Sequence, residues 1–391
     1  MNKSTPQTGL IALFLIIPAL AFAQGPLTPP GAPAPTMKTL EQIEPRTAIA
    51  NLPYTITQPG SYYLTGNLAG PTGIVIQASG VTLDLMGFEL AAATPSFTSG
   101  IRVDGVRSNI TIRNGTVRGW LGQGVNMFNA RNSLLEQLLA SDNLQSGILT
   151  GAGCMITACS ATRNVVNGIV GGEGNVIRDC TTVTNGNTGI FVGGQSIILN
   201  STAVDNGNFG MGAGSHSRIE NCVAKGHAFD GFNVTGENIV IVNSTASANQ
   251  RYGIYYFLSD GGEVRQCTVS GNGQIGIWGA RGTIIRDNTA RNNGTDGILA
   301  ESDSHVIGNL CEGNAENGIR IQAGSGVRIE SNHANNNGEI GIRVIGADNL
   351  IIKNSARGNA NGNYGIQPGN QEGPIGDMSA IQYEPWGNFE W

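Results

Sequence analysis

Charge is scarce in this chain. Lysine and arginine total 22 against 28 aspartates and glutamates in 391 residues, a net charge of −6, and no basic block occurs. A nucleic-acid partner would need a basic stripe or patch, so the composition argues against one. Long apolar runs are also missing. The longest, from Gly9 to Leu20, is shorter than the ~20 residues a membrane-spanning helix needs. With Lys3 before it and Ala21-Phe22-Ala23 after it, it reads as a secretory signal over residues 1–23, with Gln24 first in the mature chain. Helical stripes are absent from the central array, and 58 glycines weigh further against helix. Cysteine and histidine never gather at ligand spacing, and no stacked Asp-x-Asp run suggests calcium. No metal and no cofactor are expected.

What the chain has instead is repetition. One phrase, Asn-x-x-x-Gly-Ile, recurs at Asn143/Gly147/Ile148, Asn164/Gly168/Ile169, Asn185/Gly189/Ile190, Asn206/Gly210/Met211, His227/Gly231/Phe232 and Asn249/Gly253/Ile254. It continues at Asn272/Gly276/Ile277, Asn293/Gly297/Ile298, Asn314/Gly318/Ile319, Asn337/Gly341/Ile342 and Asn361/Gly365/Ile366. The glycines lie 21 to 24 residues apart, a period that marks a solenoid. A second apolar beat, as in Val176-Ile177-Arg178 and Ile284-Ile285-Arg286, is short and β-branched and reads as strand. Two or three such strands per period make one coil of a parallel β-helix. A leucine-rich repeat would want Leu where Ile dominates here. The expected fold is all-β, a right-handed parallel β-helix of about 13 coils over residues 51–369. Its nearest-neighbour contacts make one elongated domain, expected to be monomeric.

Stacking at the ~4.8 Å strand spacing puts equivalent side chains above one another. The residue after each Gly then builds an aliphatic core column. The Asn column can bond to itself and to the turn backbone. Flanking the array, residues 24–36 read as a Pro-rich linker, residues 37–50 as an N-terminal cap with a short helix, and residues 370–391 as a C-terminal cap rich in aromatics. Cys159, Cys180, Cys222 and Cys267 share a column with Ser201, Ser244 and Asn288. Buried free thiols fit that column, and a Cys159 to Cys180 bridge is the alternative.

The phrases Thr-Leu-Glu-Gln-Ile-Glu-Pro-Arg-Thr (39–47), Ile-Thr-Gln-Pro-Gly-Ser-Tyr-Tyr-Leu-Thr-Gly-Asn (56–67) and Val-Thr-Leu-Asp-Leu-Met-Gly-Phe (81–88), with the later Asn-x-x-x-Gly-Ile units, resemble the secreted bacterial right-handed parallel β-helix repeat proteins of the pectin-lyase-like superfamily. The resemblance covers about residues 37–391. It implies the fold and a secreted or cell-surface location. It leaves activity open, because the superfamily holds lyases, hydrolases, epimerases, tailspikes and members without an assigned reaction. The Asp, His and Arg motifs of polygalacturonases and alginate epimerases are not evident.

Strand alternation sends the second residue after each repeat Gly outward, giving Leu149, Val170, Phe191, Gly212, Asn233, Tyr255, Trp278, Leu299, Arg320 and Arg343. Aromatic faces stack on sugars and Arg binds carboxylates in pairs of bonds. Phe191, Asn233, Tyr255, Trp278, Arg320 and Arg343 are therefore candidates to bind an acidic polysaccharide, against the alternative of an ordinary solvated face. Where His227 interrupts the Asn column, it stands near Lys225, Asp230 and Arg251, a candidate acid/base set for β-elimination or epimerisation. The alternative is that His227 replaces Asn in a turn. Asp230 and Asp296 lie three coils apart, ~14 Å at strand spacing, too far for a glycosidase pair at ~5–9.5 Å. The sequence thus allows two functions: an exported protein that binds an acidic polysaccharide, with β-elimination or epimerisation open to it, or a non-catalytic cell-surface or extracellular scaffold or adhesion protein.

Overall fold

In the array each period becomes three strands separated by tight corners. Ile190–Val192, Ile197–Leu199 and Thr202–Val204 form one such coil. At the corner between the second and third strands the backbone turns through a left-handed residue: Asp179, Asn200, Asn221 and Asn243 have φ of 55°, 48°, 54° and 49°. Asn and Asp tolerate that conformation better than other side chains. A computed structural model describes residues 45–93, 98–381 and 384–391. The signal segment, the Pro-rich linker and the capping helix expected before Pro45 lie outside the described residues.

Fifteen strands, from Tyr54–Ile56 to Tyr364–Ile366, make one parallel sheet, and the other two strands of each coil make a second, larger one. The coil count of about 13 is therefore low by two. The early coils have irregular loops but keep register: Ile56 pairs Ile76, and Ile74 pairs Ile101. Already at Thr47–Ile49, inside the expected cap, the chain pairs in parallel with Gly60–Leu64. Among the described residues no helix is long and apolar enough to cross a membrane.

Three inward columns fill the coil. The first is the residue after each Gly, as in Ile169, Ile190, Ile254, Ile277, Ile298 and Ile319, each 0% exposed. The second is Ile177, Ile198, Ile219, Ile241, Val264 and Ile285, and the third is mostly Ala, as in Ala161, Ala203, Ala224, Ala246 and Ala290. Small Ala in the third column lets the corner beside it turn inward. The gap is taken by amides.

The Asn column is buried inside this corner rather than set in a solvated turn. Asn293 Nδ2 donates to Asn314 Oδ1 at 2.9 Å and to the Val269 carbonyl at 3.4 Å, while its Oδ1 accepts from the Asn272 amide N–H and Nδ2 at 3.2 and 3.0 Å. The same pattern runs from Asn143 to Asn185 and from Asn249 to Asn359, and Trp120 N–H starts it by donating to Asn143 Oδ1. The regular spacing of glycine follows from this ladder: a Cβ on Gly276 would lie 2.7 Å from Asn293 Nδ2 and 2.6 Å from the Gly297 carbonyl.

The last repeat unit is corrected by this register. Asn359, not Asn361, receives the bond from Asn337, and Tyr364, not Ile366, pairs Ile342. Spacing matched Gly365 to the column, whereas Asn363 stands there with its carbonyl against Gly341.

A second ladder occupies the cysteine column. Cys180 N–H donates to Ser201 Oγ, Cys222 N–H to Ser244 Oγ and Cys267 N–H to Asn288 Oδ1; the amides then continue through Asn309, Asn332 and Asn354 to Asn388. All six cysteines are free and buried. Burial pushes the Cys222 and Cys267 thiols up to about 12, so they pack as neutral small groups. The C-terminal tail completes the second ladder: Asn388 reaches back to Asn354 across an excursion that includes the short helix Met378–Ile381, while Asn370 accepts from Asn349 in a separate column. Trp386 and Trp391, expected to cap the core, are 51% and 62% exposed.

His227 is the one foreign rung of the first ladder. It is 0% exposed, its Nδ1 accepts from Asn206 N–H at 3.0 Å, and its Nε2 lies 3.2 Å from the Ala203 carbonyl. The carbonyl needs a donor there, which assigns the neutral Nε2–H tautomer. Burial depresses its pKa from 6.5 to about 4.

Two predictions follow from the ladder. Asn293→Ala strands the Asn272 amide groups inside the corner and should cost about 2–4 kcal/mol, seen as a lowered denaturant midpoint; an unchanged midpoint would refute the buried register. For His227, both folded and unfolded imidazoles are neutral above pH 6.5, and between there and about pH 4 only the unfolded chain takes up the proton. Stability should fall over that window by on the order of 3 kcal/mol. His227→Asn should remove this loss and raise the melting temperature at pH 4.5 more than at pH 7.5.

Candidate functional site

The outward stripe stands in register as alternation requires. Phe191 pairs Gly212, Gly212 pairs Asn233, Asn233 pairs Tyr255, Tyr255 pairs Trp278, Trp278 pairs Leu299, Leu299 pairs Arg320, and Arg320 pairs Arg343. Side chains one column away join it. Tyr252 lies 4.9 Å from Tyr255 and 5.3 Å from Trp278, Tyr255 lies 5.1 Å from Trp278 and 5.6 Å from Phe257, all as ring-centroid distances. Four rings thus form one tilted ridge. Strands Phe232–Glu237 and Ile254–Asp260 are longer than their neighbours and carry the Phe257 end of that ridge outward.

Arg251 is wedged into the ridge. Its guanidinium lies 4.7 Å from the Tyr252 ring centre and 5.4 Å from those of Phe229 and Tyr255. Asp230, whose side chain is fully buried, clamps it from below: Nε donates to Oδ1 at 2.7 Å and Nη2 to Oδ2 at 2.5 Å. Asn233 Nδ2 and Tyr252 N–H also donate to that carboxylate, at 2.7 and 3.2 Å. Four donors on one buried carboxylate leave it no acceptor site for a ligand proton, and the two from Arg251 fix the guanidinium among the rings. Burial raises the Tyr252 and Tyr255 phenols above their ordinary value, so both keep their protons near neutrality.

A hollow of about 510 Å³ lies on one side of the ridge, lined by Phe191, Phe209, Asn233, Thr235, Arg251, Tyr255 and Phe257. A second, about 350 Å³, lies on the other, between Trp278, Leu299, Glu301 and Gln322. Glu301 Oε1 accepts from Trp278 Nε1 at 3.1 Å and fixes the indole.

The residues singled out from sequence divide clearly. Phe191, Tyr255 and Trp278 share the groove face. Asn233 is 7% exposed and serves the Asp230 clamp. Arg320 is bound to buried Asp296 at 2.7 Å and Arg343 to Glu339 at 3.4 Å, so neither stands as an uncompensated cation. The acid/base set is not brought together. His227 lies in the core ladder beneath the face, and Lys225 pairs Val204 and Ser247 on the other sheet. Only Asp230 and Arg251 of the four meet, as an ion pair.

Phe209, Phe229, Tyr252, Phe257 and Glu301 were missed by sequence reasoning. Phe209 and Tyr252 precede the repeat glycines Gly210 and Gly253, in the column that also holds Asp230 and Asp296. Aromatics recurring there were a readable signal. Phe257 had none, because it depends on the strand extension.

Residues 66–214, 193–304 and 281–375 match the family model described as the right handed beta helix region. Comparison with curated protein sequences returns no match. Among solved structures, a mutant form of the periplasmic alginate epimerase AlgG shares 13% identity over 85% of this chain and 78% of its own, with a TM-score of 0.50. The A-module of a mannuronan C-5 epimerase of Azotobacter vinelandii shares 17% identity over 84% of this chain and 90% of its own, with a TM-score of 0.48. The Dettilon tailspike protein shares 14% identity over 70% of this chain, which spans 60% of the tailspike's length, with a TM-score of 0.47. At these identities the likeness is one of fold. The family match runs from residue 66 to residue 375 and agrees with a parallel register that continues coil after coil: the chain belongs to the right-handed β-helix family.

Proposed function

We propose that this chain binds a polysaccharide along the outer face of the fifteen-stranded sheet, with the Tyr252, Tyr255 and Trp278 ridge as its stacking platform. One observation carries the reading: Tyr252 and Tyr255 of the four-ring ridge, with Phe229, surround Arg251 while a fully buried Asp230 fixes its orientation. Sugar rings present apolar C–H faces and polar edges. A rigid aromatic surface takes the faces, and the free edge of an oriented guanidinium takes hydroxyl or carboxylate oxygens. A site that is already ordered loses little conformational entropy on binding. The hollows on either side of the ridge lie along the solenoid axis, so a long glycan has room to continue over several coils.

Charge balance refines the ligand. Arg251, Arg320 and Arg343 are each paired with a carboxylate, and Glu301 adds one negative charge beside Trp278. Without net positive charge, affinity for an acidic chain rests on stacking and hydrogen bonds rather than on long-range attraction. Binding should therefore be nearly insensitive to salt. The His227 and Lys225 placements give no support to turnover by that set, so the reading is binding. Export, which would bring the chain to such a ligand, belongs to the same proposal; a mature N-terminus at Gln24 is its expected signature.

Titration calorimetry with neutral and uronate-containing oligosaccharides of increasing length tests the site. Longer oligosaccharides should bind more tightly than disaccharides, and Trp278→Ala or Tyr255→Ala should weaken binding about tenfold. Lys225→Ala, on the other sheet, should leave it unchanged. Absence of binding to glycans of either charge would remove the proposal.

A further inference from the structure

On the opposite sheet, near the C-terminal end, His305, Arg328, Leu350 and Gln371 stack in register on four successive coils. Two adjoining hollows of about 430 and 470 Å³ follow this column and share Arg328, Leu350 and Gln371. Their joint length is ~14 Å at strand spacing, and each volume is in the ~300–1,000 Å³ range of small-molecule sites. Neither hollow touches the groove described above.

We propose that this second groove is a separate binding site for a neutral saccharide, with Trp386 as its stacking wall. The proposal does not rest on the ridge of Tyr252, Tyr255 and Trp278. Its first support is the state of Trp386, which is 51% exposed yet held in place. Lys353 N–H donates to the Trp386 carbonyl at 3.3 Å, and Lys353 Nζ lies 4.6 Å from the indole centre. Gly373 admits the approach, since a Cβ there would meet the Trp386 carbonyl oxygen. Two residues on, Asn388 is locked into the buried ladder by bonds to Asn354. A fixed indole with an open face exposes apolar area without gaining freedom from it, which is the condition of a binding platform.

The lining supplies the second support. Leu350 and Ile352 make an apolar floor, and Gln371, Glu372, His305 and Asp348 stand exposed at the rim. Apolar floor, aromatic wall and hydrogen-bonding rim match the two-sided chemistry of a pyranose ring. The charges select among sugars. Arg328 and Lys353 both bind Glu330, through Nη2 at 2.6 Å and Nζ at 3.1 Å, whereas Asp348 and Glu372 face the groove without a cation. The rim therefore disfavours a polyanion. With one site on each sheet, one molecule would hold two glycan strands.

The experiment uses the Trp278→Ala variant of the full chain, in which the first groove is weakened about tenfold, with cellohexaose and maltohexaose as neutral probes and an alginate hexasaccharide as the anionic one. Calorimetry and tryptophan fluorescence should show a neutral probe still binding with a change in emission, and the anionic probe binding at least tenfold more weakly. Adding Trp386→Ala or Gln371→Ala should abolish or weaken that binding at least tenfold, while Trp386→Phe retains part of it. Melting temperatures identify any variant that has lost its fold, and Gln371→Ala, an exposed change, keeps the test decisive if Trp386→Ala unfolds. No binding of either neutral probe to the Trp278→Ala chain, binding indifferent to Trp386 and Gln371, or preference for the anionic probe would each overturn the proposal. A chain that binds in the Trp386 groove but not at the ridge would uphold this inference and reject the first reading.

Discussion

Parallel strands stacked in register impose one requirement from which most of this molecule follows: whatever points inward on one coil meets its own equivalent on the next, at the spacing of the strands. Aliphatic columns satisfy it by packing. At the corners the backbone turns away from the sheet, and its N–H and C=O groups need partners where water is excluded. An amide side chain can donate upward and accept from below, so a column of Asn provides those partners without end. Asn293, bonded to Asn272, Asn314 and Val269, shows one complete rung. Glycine beside it is a consequence, since a Cβ there would collide with the amide, whereas the column opposite is mostly Ala but also admits Thr182, Val269 and Cys311.

The ladders also explain what the unusual residues are doing inside. Cysteine and serine can serve in the second ladder because each takes little space and the rung needs an acceptor for only one N–H. Cys159, Cys180, Cys222 and Cys267 therefore need no disulfide to account for them, and Cys311 packs in the Ala column. His227 fits the first ladder because an imidazole has an acceptor and a donor on opposite sides, as an amide does, although burial lowers its pKa to about 4. Beneath it in sequence, Asp230 is the first side chain of that coil that works outward, through Arg251. The boundary between scaffold and site thus passes between residues three apart.

Periodicity ends at the outer surface. No stacking rule governs an outward side chain, so aromatics can gather on one sheet at Tyr252, Tyr255 and Trp278 and on the other at Trp386 without disturbing the interior. The same freedom lets strands 232–237 and 254–260 extend, and lets the C-terminal tail wander before Asn388 returns to the ladder. Surface chemistry is superimposed on a core that would be nearly the same without it.

The repeat of Asn, Gly and Ile determined the solenoid, the inward column, the outward stripe and its register, because each depends on chain periodicity and on nothing distant. Where the period itself wavered, sequence misled: at the last coil Asn361 and Gly365 fit the spacing, but the hydrogen bonds chose Asn359 and Tyr364, since a bond to Asn337 is a matter of geometry rather than of residue count. Side-chain partnership was likewise beyond the sequence. Lys225, His227, Asp230 and Arg251 are close along the chain or one coil apart, yet a corner separates Lys225 onto another sheet, burial removes His227, and only the folded coil brings Asp230 under Arg251. The tail's Trp386 meets Leu350 and Gln371 for the same reason. Neighbourhood in a solenoid is set by the coil below, and outside the periodic columns only the tertiary structure says which residue that is.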